Sequence, residues 1–292
     1  MLNGVINILK PPGMTSHDIV SVVRRATATK RVGHSGTLDP AAAGVLPVFV
    51  GSAARFIEYF PTDKQYLTEI IFGCATDTCD DTGMVIDSCQ TLPEIDPVKL
   101  QLALQDFTGK ISQQPPIYSA IKVDGKKLYE YARDGQDVII KQRAVSIDSI
   151  LLLGVEGNIA RICVNCSSGT YIRSLCRDVG RAMNLPSMMG FLLRSAVGEF
   201  PLTNTVTIEQ VVDNVQKHIT PVERLLECFL PKVSLSSANA LLFQDGIRKT
   251  VSESDTEVCI VVGEPDVFCG IASVERGMLI PKKVVRNILA AK

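Results

Sequence analysis

The segment Gly33-His34-Ser35-Gly36-Thr37-Leu38-Asp39-Pro40-Ala41-Ala42-Ala43, running on through Gly44-Val45-Leu46-Pro47, holds one carboxylate, Asp39, among small and turn-forming residues. The nearest acids along the chain are Asp18 and Glu58. Small residues let the backbone approach a ligand closely, and Pro40 biases Asp39 away from helical geometry. A carboxylate in this setting is either a local cap, which is the commoner use of Asp in turns, or a reactive group. Two other segments could do chemistry beside it. Arg173, Arg177 and Arg181 recur every four residues on one helical stripe, where like charges repel by a few tenths of a kcal/mol per pair. An anion facing the stripe would offset that cost; a solvated stripe partly screened by Asp178 is the plain alternative. Over residues 112–137, Tyr118, Tyr129 and Tyr131 interleave with Lys122, Lys126, Lys127 and Arg133. Rings that stack on bases and cations that meet phosphates suit nucleic acid, although tyrosine also packs in ordinary cores.

The cysteines and histidines point elsewhere than metal chemistry. Cys163-Val164-Asn165-Cys166 has ligand-like spacing, but no second such pair and no paired histidine accompanies it. Residues 159–166 alternate like a strand, which sets Cys163 and Cys166 on opposite faces, as core and surface thiols. His17, His34 and His218 are scattered, and no metal site is expected. Nine cysteines at irregular spacing, no basic-then-apolar leader and no apolar run near the roughly 18 residues that span a bilayer lead to an expectation of reduced thiols in a cytoplasmic protein with no membrane contact.

The net charge of −1 does not by itself suggest a polyanion partner. The charge is unevenly distributed: residues 1–60 and 160–200 are basic on balance, and residues 61–110 are acidic. A near-neutral chain can thus present a basic face to phosphates.

The supporting elements are legible from spacing. A short strand over residues 2–9 ends at Lys10-Pro11-Pro12-Gly13. Thr15 with Asp18 forms a capping box ahead of an amphipathic helix through Ile19, Val22, Val23 and Ala26. Arg24, Arg25, Lys30 and Arg31 lie on or just after that helix, as a solvated surface or a phosphate-facing edge. A strand runs from Tyr66 to Phe72, and residues 74–94 read as acidic, turn-rich and exposed. Asp96-Pro97 starts a helix that Gly109 is expected to stop. Arg143–Val155 and Ile159–Cys166 form a hairpin about Glu156-Gly157-Asn158. Ser167-Ser168-Gly169-Thr170 opens a helix whose apolar face is Ile172, Leu175, Cys176, Val179 and Ala182. After helices near 207–217 and beyond Pro221, Pro231 marks a boundary, followed by β-rich pieces around a short helix at Ala238–Gln244. That last module reads as a small β-barrel that must dock, being near the lower size limit for independent stability. The expected fold class is α+β, because short strands, hairpins and separated helices do not alternate regularly.

In order along almost the whole chain, these segments resemble the TruB family of tRNA pseudouridine synthases. The resemblance rests on Lys10-Pro11-Pro12-Gly13-Met14-Thr15-Ser16, on Gly33–Pro47, on Asp63-Lys64-Gln65-Tyr66, on Gln114-Pro115-Pro116-Ile117-Tyr118-Ser119-Ala120-Ile121-Lys122 and on Ser167–Arg173. It implies a pseudouridine synthase fold over residues 1–230, a mixed and mostly antiparallel sheet with a central cleft, with an RNA-gripping insertion at about 112–140. A PUA-like RNA-binding barrel is implied over 231–292. The implied activity is conversion of uridine 55 in the tRNA T-arm loop to pseudouridine, by a monomer without cofactor. Asp39 is then the reactive acid and Arg173 its partner. Tyr66 stacks on the flipped base, with removal of the carbon-5 proton as an added role. Tyr171 and Leu192 wall the pocket, and Lys10 and Lys122 join the substrate contacts. His34 either touches the RNA backbone or closes a hydrogen bond inside its loop. Where the family often has Leu-Arg-Arg, this chain has Leu192-Leu193-Arg194. An RNA-binding module without catalysis, and a hydrolase or phosphotransferase drawing metal-binding acids from residues 77–87, are the competing readings. The second conflicts with Leu-Asp-Pro standing where a Walker-type loop ends in Gly-Lys-Ser/Thr.

Overall fold

The computed structural model describes residues 2–91 and 93–286; residues 287–292 of the expected C-terminal module lie outside the described residues. The first half runs β1 (Gly4–Lys10), α1 (Ser16–Thr27), β2 (Val32–His34), β3 (Ala43–Val50), a 3-10 helix (Gly51–Tyr59), β4 (Lys64–Phe72), β5 (Cys74–Thr76), β6 (Val85–Ser88), α2 (Pro97–Gln105), β7 (Gly109–Gln113), β8 (Lys122–Val123), β9 (Lys126–Lys127) and α3 (Leu128–Arg133). The second half runs β10 (Arg143–Glu156), β11 (Ile159–Cys166), α4 (Ile172–Ala182), β12 (Ser187–Val197), β13 (Phe200–Pro201), α5 (Ile208–His218), α6 (Val222–Leu226), β14 (Lys232–Leu235), α7 (Ser237–Gln244), β15 (Lys249–Thr250), β16 (Thr256–Gly263), β17 (Val267–Glu275) and β18 (Met278–Val284).

The large sheet has the strand order β1-β3-β12-β4-β11-β10-β7, with β2 on β3 and β13 on β12. Only the β3–β12 pairing is parallel. β4 shows why the sheet sits where it does. Its residues alternate buried and half-buried without a break, so Lys64, Tyr66, Thr68, Ile70 and Phe72 share one face. That face meets Ala160, Ile162, Val164 and Cys166 of β11, and the apolar stripe of α4 covers it.

One row of this sheet has functional weight. Lys10 of β1 pairs with Gly44 of β3, Gly44 with Arg194 of β12, and Arg194 with Tyr66 of β4. Gly44 holds φ +124°, and a Cβ there would lie 2.2 Å from the Arg194 carbonyl oxygen. Only glycine lets the two parallel strands approach this closely.

Local signals are realised at several termini. Thr15 and Asp18 form the reciprocal capping box of α1, and the Asp96 side chain accepts from Val98 and Lys99 to cap α2. α2 ends at Gln105, and Gly109, at φ +95°, opens β7 instead of stopping the helix. The 74–94 stretch is an exposed hairpin only in part: β6 is exposed throughout, but Cys79 and Asp80 are buried beside β12. The arginine stripe of α4 does have matching acids. Arg173 meets Asp39 and Asp80, and Arg177 and Arg181 both meet Asp178.

After Pro231 the chain forms a five-stranded sheet in the order β14-β16-β17-β18-β15. Its end strands β14 and β15 do not pair with each other among the described residues, so the sheet is open and not the closed barrel expected. It has a core of its own with α7, through Val233, Phe243, Cys259 and Val274. Ile260, Val262, Phe268 and Ile271 instead pack with Val5, Phe49, Phe56 and Val222 of the larger body. Lys283 bridges to Glu58 and lies over the Tyr59 ring at 5.2 Å. The small sheet therefore buries one face by docking, as its size demands. Among the described residues, no helix is long and apolar enough to cross a membrane.

Gly44→Ala should lower stability by at least about 2 kcal/mol, through the strained φ and the collision with the Arg194 backbone. A urea midpoint shifted down at constant m-value is the expected result; an unchanged midpoint would contradict the close approach.

Candidate active site

The loop between β2 and β3 is held from several sides. The Ser16 hydroxyl accepts from Leu38 N–H at 2.9 Å and donates to Leu38 C=O at 3.1 Å. Gly13 N–H donates to Pro40 C=O at 2.9 Å. Lys10 Nζ donates to the carbonyls of Pro11, Met14 and Pro40 at 2.8, 2.7 and 3.1 Å. Arg194, entirely buried, donates to the carbonyls of Val45, Thr37 and Gly36 at 2.8, 3.1 and 3.1 Å. With Leu38 locked into the core, Asp39 has little freedom except at its carboxylate.

That carboxylate lies 2.9 Å, through Oδ2, from Arg173 Nε. The Asp39 side chain is 38% exposed and that of Arg173 only 7%. The Nε–H is not aimed along this contact and has no acceptor in hydrogen-bonding geometry, so the pair is held by charge. The guanidinium's own hydrogen bonds run from Nη1 to Thr78 C=O and from Nη2 to Tyr118 C=O, at 3.2 and 3.0 Å. A second carboxylate, Asp80, stands 3.7 Å from the same Nε. Its Oδ1 accepts from the Thr78 and Thr82 hydroxyls, both at 2.6 Å, and from Thr82 N–H at 3.1 Å. Arg173 thus joins three segments that are far apart in sequence.

Asp39 opens into a cavity of about 240 Å³ lined by Gly36, Tyr66, Ser119, Tyr171, Arg173 and Leu192, among others. Five residues expected from sequence to share a site therefore meet: Asp39, Tyr66, Tyr171, Arg173 and Leu192. Burial pushes the Tyr66 phenol up to about 12, and the guanidinium of Arg194, bonded to it, pulls the other way. Tyr171 is also raised by burial; its backbone is clamped by Gln113, which both donates to and accepts from it. A larger cavity of about 560 Å³ lies near Asp77, Arg177 and Arg181, and Asp39 does not reach it.

The other expected contacts are placed differently. Lys10 is wholly buried with its ammonium turned onto loop carbonyls, so it supports the loop and does not line the cavity. His34 accepts the Gly36 N–H through Nδ1 at 3.2 Å, the bond inside the loop, and burial lowers its pKa. Lys122 is exposed on the β8–β9 hairpin, directly opposite Lys127 and away from the cavity. The neighbouring rings are already covered by cations: Lys126 lies over Tyr131 at 4.6 Å, and Lys127 and Arg133 lie over Tyr129 at 5.2 and 5.3 Å. Asp80, Arg194 and Lys64 are the site residues that sequence reasoning did not select. For Lys64 and Arg194, the strand alternation through Tyr66 and the pairing of β12 carried the signal.

The family model described as TruB family pseudouridylate synthase (N terminal domain) matches residues 24–172, half of the chain. A curated relative from Caldanaerobacter subterraneus subsp. tengcongensis, tRNA pseudouridine synthase B, is 41% identical over 287 residues, covering 97% of this chain and 99% of that protein. The chain belongs to the TruB family. The Bacillus subtilis (strain 168) protein of the same name is 39% identical over 269 residues, covering 88% of this chain and 87% of its own. The fold is that of the pseudouridine synthases. The chain superposes on a component of an H/ACA RNP bound to a substrate RNA containing 2'-deoxyuridine with a TM-score of 0.73 at 22% identity, covering 97% of this chain and 85% of that one. It likewise superposes on a chain of a Cbf5-Nop10-Gar1 complex with a TM-score of 0.72 at 24% identity, covering 97% and 84%.

The support that Lys10 gives this TruB-family loop has a pH signature. Burial depresses its pKa from 10.5 to about 8, with Asp39 pulling it back up. Between those values the unfolded chain binds more protons than the folded one, so the Lys10 contribution to stability rises as pH goes from about 8 toward 10.5. Urea denaturation of the wild type should show this rise relative to Lys10→Met. Parallel pH profiles for the two proteins would contradict a buried, depressed ammonium.

Proposed function

We propose that this chain converts uridine 55 in the T-arm loop of tRNA to pseudouridine, with Asp39 as its one reacting carboxylate. The observation that carries this reading is Asp39 beside Arg173, 2.9 Å apart, at a small cavity walled by Tyr66, Tyr171 and Leu192. Relatives at about 40% identity bear the name tRNA pseudouridine synthase B, which supports tRNA as the substrate.

The reaction requires the target nucleotide to leave its stack, at a cost of a few kcal/mol. Between aromatic and apolar walls the extruded base recovers part of that cost, since base–ring stacking contributes about 1–3 kcal/mol. The bond from N1 to the sugar then breaks, the uracil turns, and carbon 5 bonds to the same sugar carbon. Carbon 5 releases a proton and N1 takes one up, so the substrate and product are isomers and no outside reagent is consumed. Asp39 acts as a carboxylate, and the guanidinium of Arg173, 2.9 Å away, holds it in place at the cavity. One acid suffices where glycoside hydrolysis uses two, because the leaving base is retained and reused. Tyr66 supplies a stacking face. A phenol held near 12 is un-ionised at neutral pH, so a proton-accepting role for it would require the substrate to change its surroundings. The sheet after Pro231 is proposed as a second RNA-contacting module.

Asp39→Asn should bind a T-arm stem-loop with nearly unchanged affinity and form pseudouridine at least about 10³-fold more slowly. Arg173→Lys, which keeps the charge but loses the planar fork, should lower turnover by about 10²-fold with a smaller effect on binding. Turnover surviving in Asp39→Asn would contradict Asp39 as the reacting carboxylate, and a wild type that binds the stem-loop without forming pseudouridine would favour an RNA-binding protein without catalysis.

A further inference from the structure

Four cationic side chains stand in or behind the cavity walls, and three are held by carboxylates or by three carbonyls each. Lys10 gives its ammonium to three carbonyls, Arg194 gives its guanidinium to three more, and Arg173 faces Asp39 and Asp80. The fourth, Lys64, is only 8% exposed and lines the cavity. Its Nζ donates to Thr62 C=O and to the Ser168 hydroxyl, both at 3.2 Å. An ammonium has three donors, and among the described residues no carboxylate lies within ion-pairing distance of this one. A buried charge with only neutral acceptors is costly, and here Arg194 adds repulsion. The site as a whole carries an excess of buried positive charge over Asp39 and Asp80.

The surroundings of Lys64 are shaped to admit a group. Lys64 opens β4 on the same face as Tyr66. Gly36 passes beside it, where a Cβ would lie 3.4 Å from Lys64 Cε. Beside it, Ser168, which accepts from the Lys64 ammonium, leads with Gly169 and Thr170 into α4, whose N-terminus has no side-chain cap. Gly169 holds φ +89° with open space where a Cβ would stand. A hydroxyl and an ammonium with a spare donor meet on one wall of the cavity, which favours an anion.

We propose that the Lys64–Ser168 wall receives a phosphodiester flanking the extruded nucleotide. This rests on the reading of the cavity as the place of a flipped nucleotide: the anion covalently attached to such a nucleoside is its own phosphodiester. The contact anchors the backbone while the base is released and turned, and it supplies the counter-charge that the site otherwise lacks.

The test uses T-arm stem-loops carrying one neutral methylphosphonate linkage at a 2'-deoxy position, 5' or 3' of the target, each against a 2'-deoxy phosphodiester control. For the wild type, neutralising one of the two linkages should weaken binding about tenfold. Lys64→Met should weaken binding of the control by a similar factor, lose nothing further on the neutral linkage, and flatten the salt dependence by about one phosphate contact. Lys64→Arg should restore sensitivity to the linkage, and Ser168→Ala should show a smaller loss that is likewise not additive with it. Additive losses, or a wild type indifferent to both linkages, would overturn the proposal. The second result holds even if Lys64→Met fails to fold. A wild type that shows the linkage dependence but forms no pseudouridine would overturn the reaction and leave the phosphate contact standing. A wild type that forms pseudouridine without the linkage dependence would do the reverse.

Discussion

A carboxylate held against a buried guanidinium is the constraint around which this molecule is arranged. Arg173 is almost wholly enclosed, and a guanidinium in that state must be met by acids and carbonyls. The partners come from the β2–β3 loop, the β5–β6 hairpin and the segment before β8: Asp39, Asp80 with Thr78 C=O, and Tyr118 C=O. Removing any one of these segments leaves a buried charge short of partners. The same pairing therefore closes the fold locally and holds the Asp39 carboxylate at a cavity.

The loop bearing Asp39 has few side chains of its own to pack, and its order is imposed from the sheet. Register does this. Lys10, Gly44, Arg194 and Tyr66 fall in one row across four strands. Two cations of that row reach up to the loop carbonyls, and the glycine between them lets the strands close. A slip of one residue in β12 would turn Arg194 to the opposite face and release Gly36 and Thr37. Sheet register and the geometry of the Asp39 site are in this sense one property.

Much of the scaffold was legible because its causes are local. The Thr15–Asp18 box, the Asp96-Pro97 start and the Glu156-Gly157-Asn158 turn each act over a few residues. Asp39, Tyr66, Tyr171, Arg173 and Leu192 were legible through family resemblance, and the cavity brings them together. What escaped reading depends on tertiary choice. Asp80 looks in sequence like Asp77, Asp81 and Asp87, and only the packing of the hairpin on β12 buries it. Lys10 was legible as part of a motif, but nothing local says that its ammonium folds back onto Pro11, Met14 and Pro40. Whether the C-terminal strands close into a barrel depends on edge pairing between β14 and β15, which spacing along the chain does not encode.

The most direct measurement of the central claim is a structure of the chain bound to a T-arm stem-loop. The target uridine is expected out of its helix and seated in the Tyr66–Leu192 cavity, with the Asp39 carboxylate against its sugar or base and Arg173 still beside it. A target base that stays stacked in the RNA, or RNA bound on a face that Asp39 cannot reach, would contradict it.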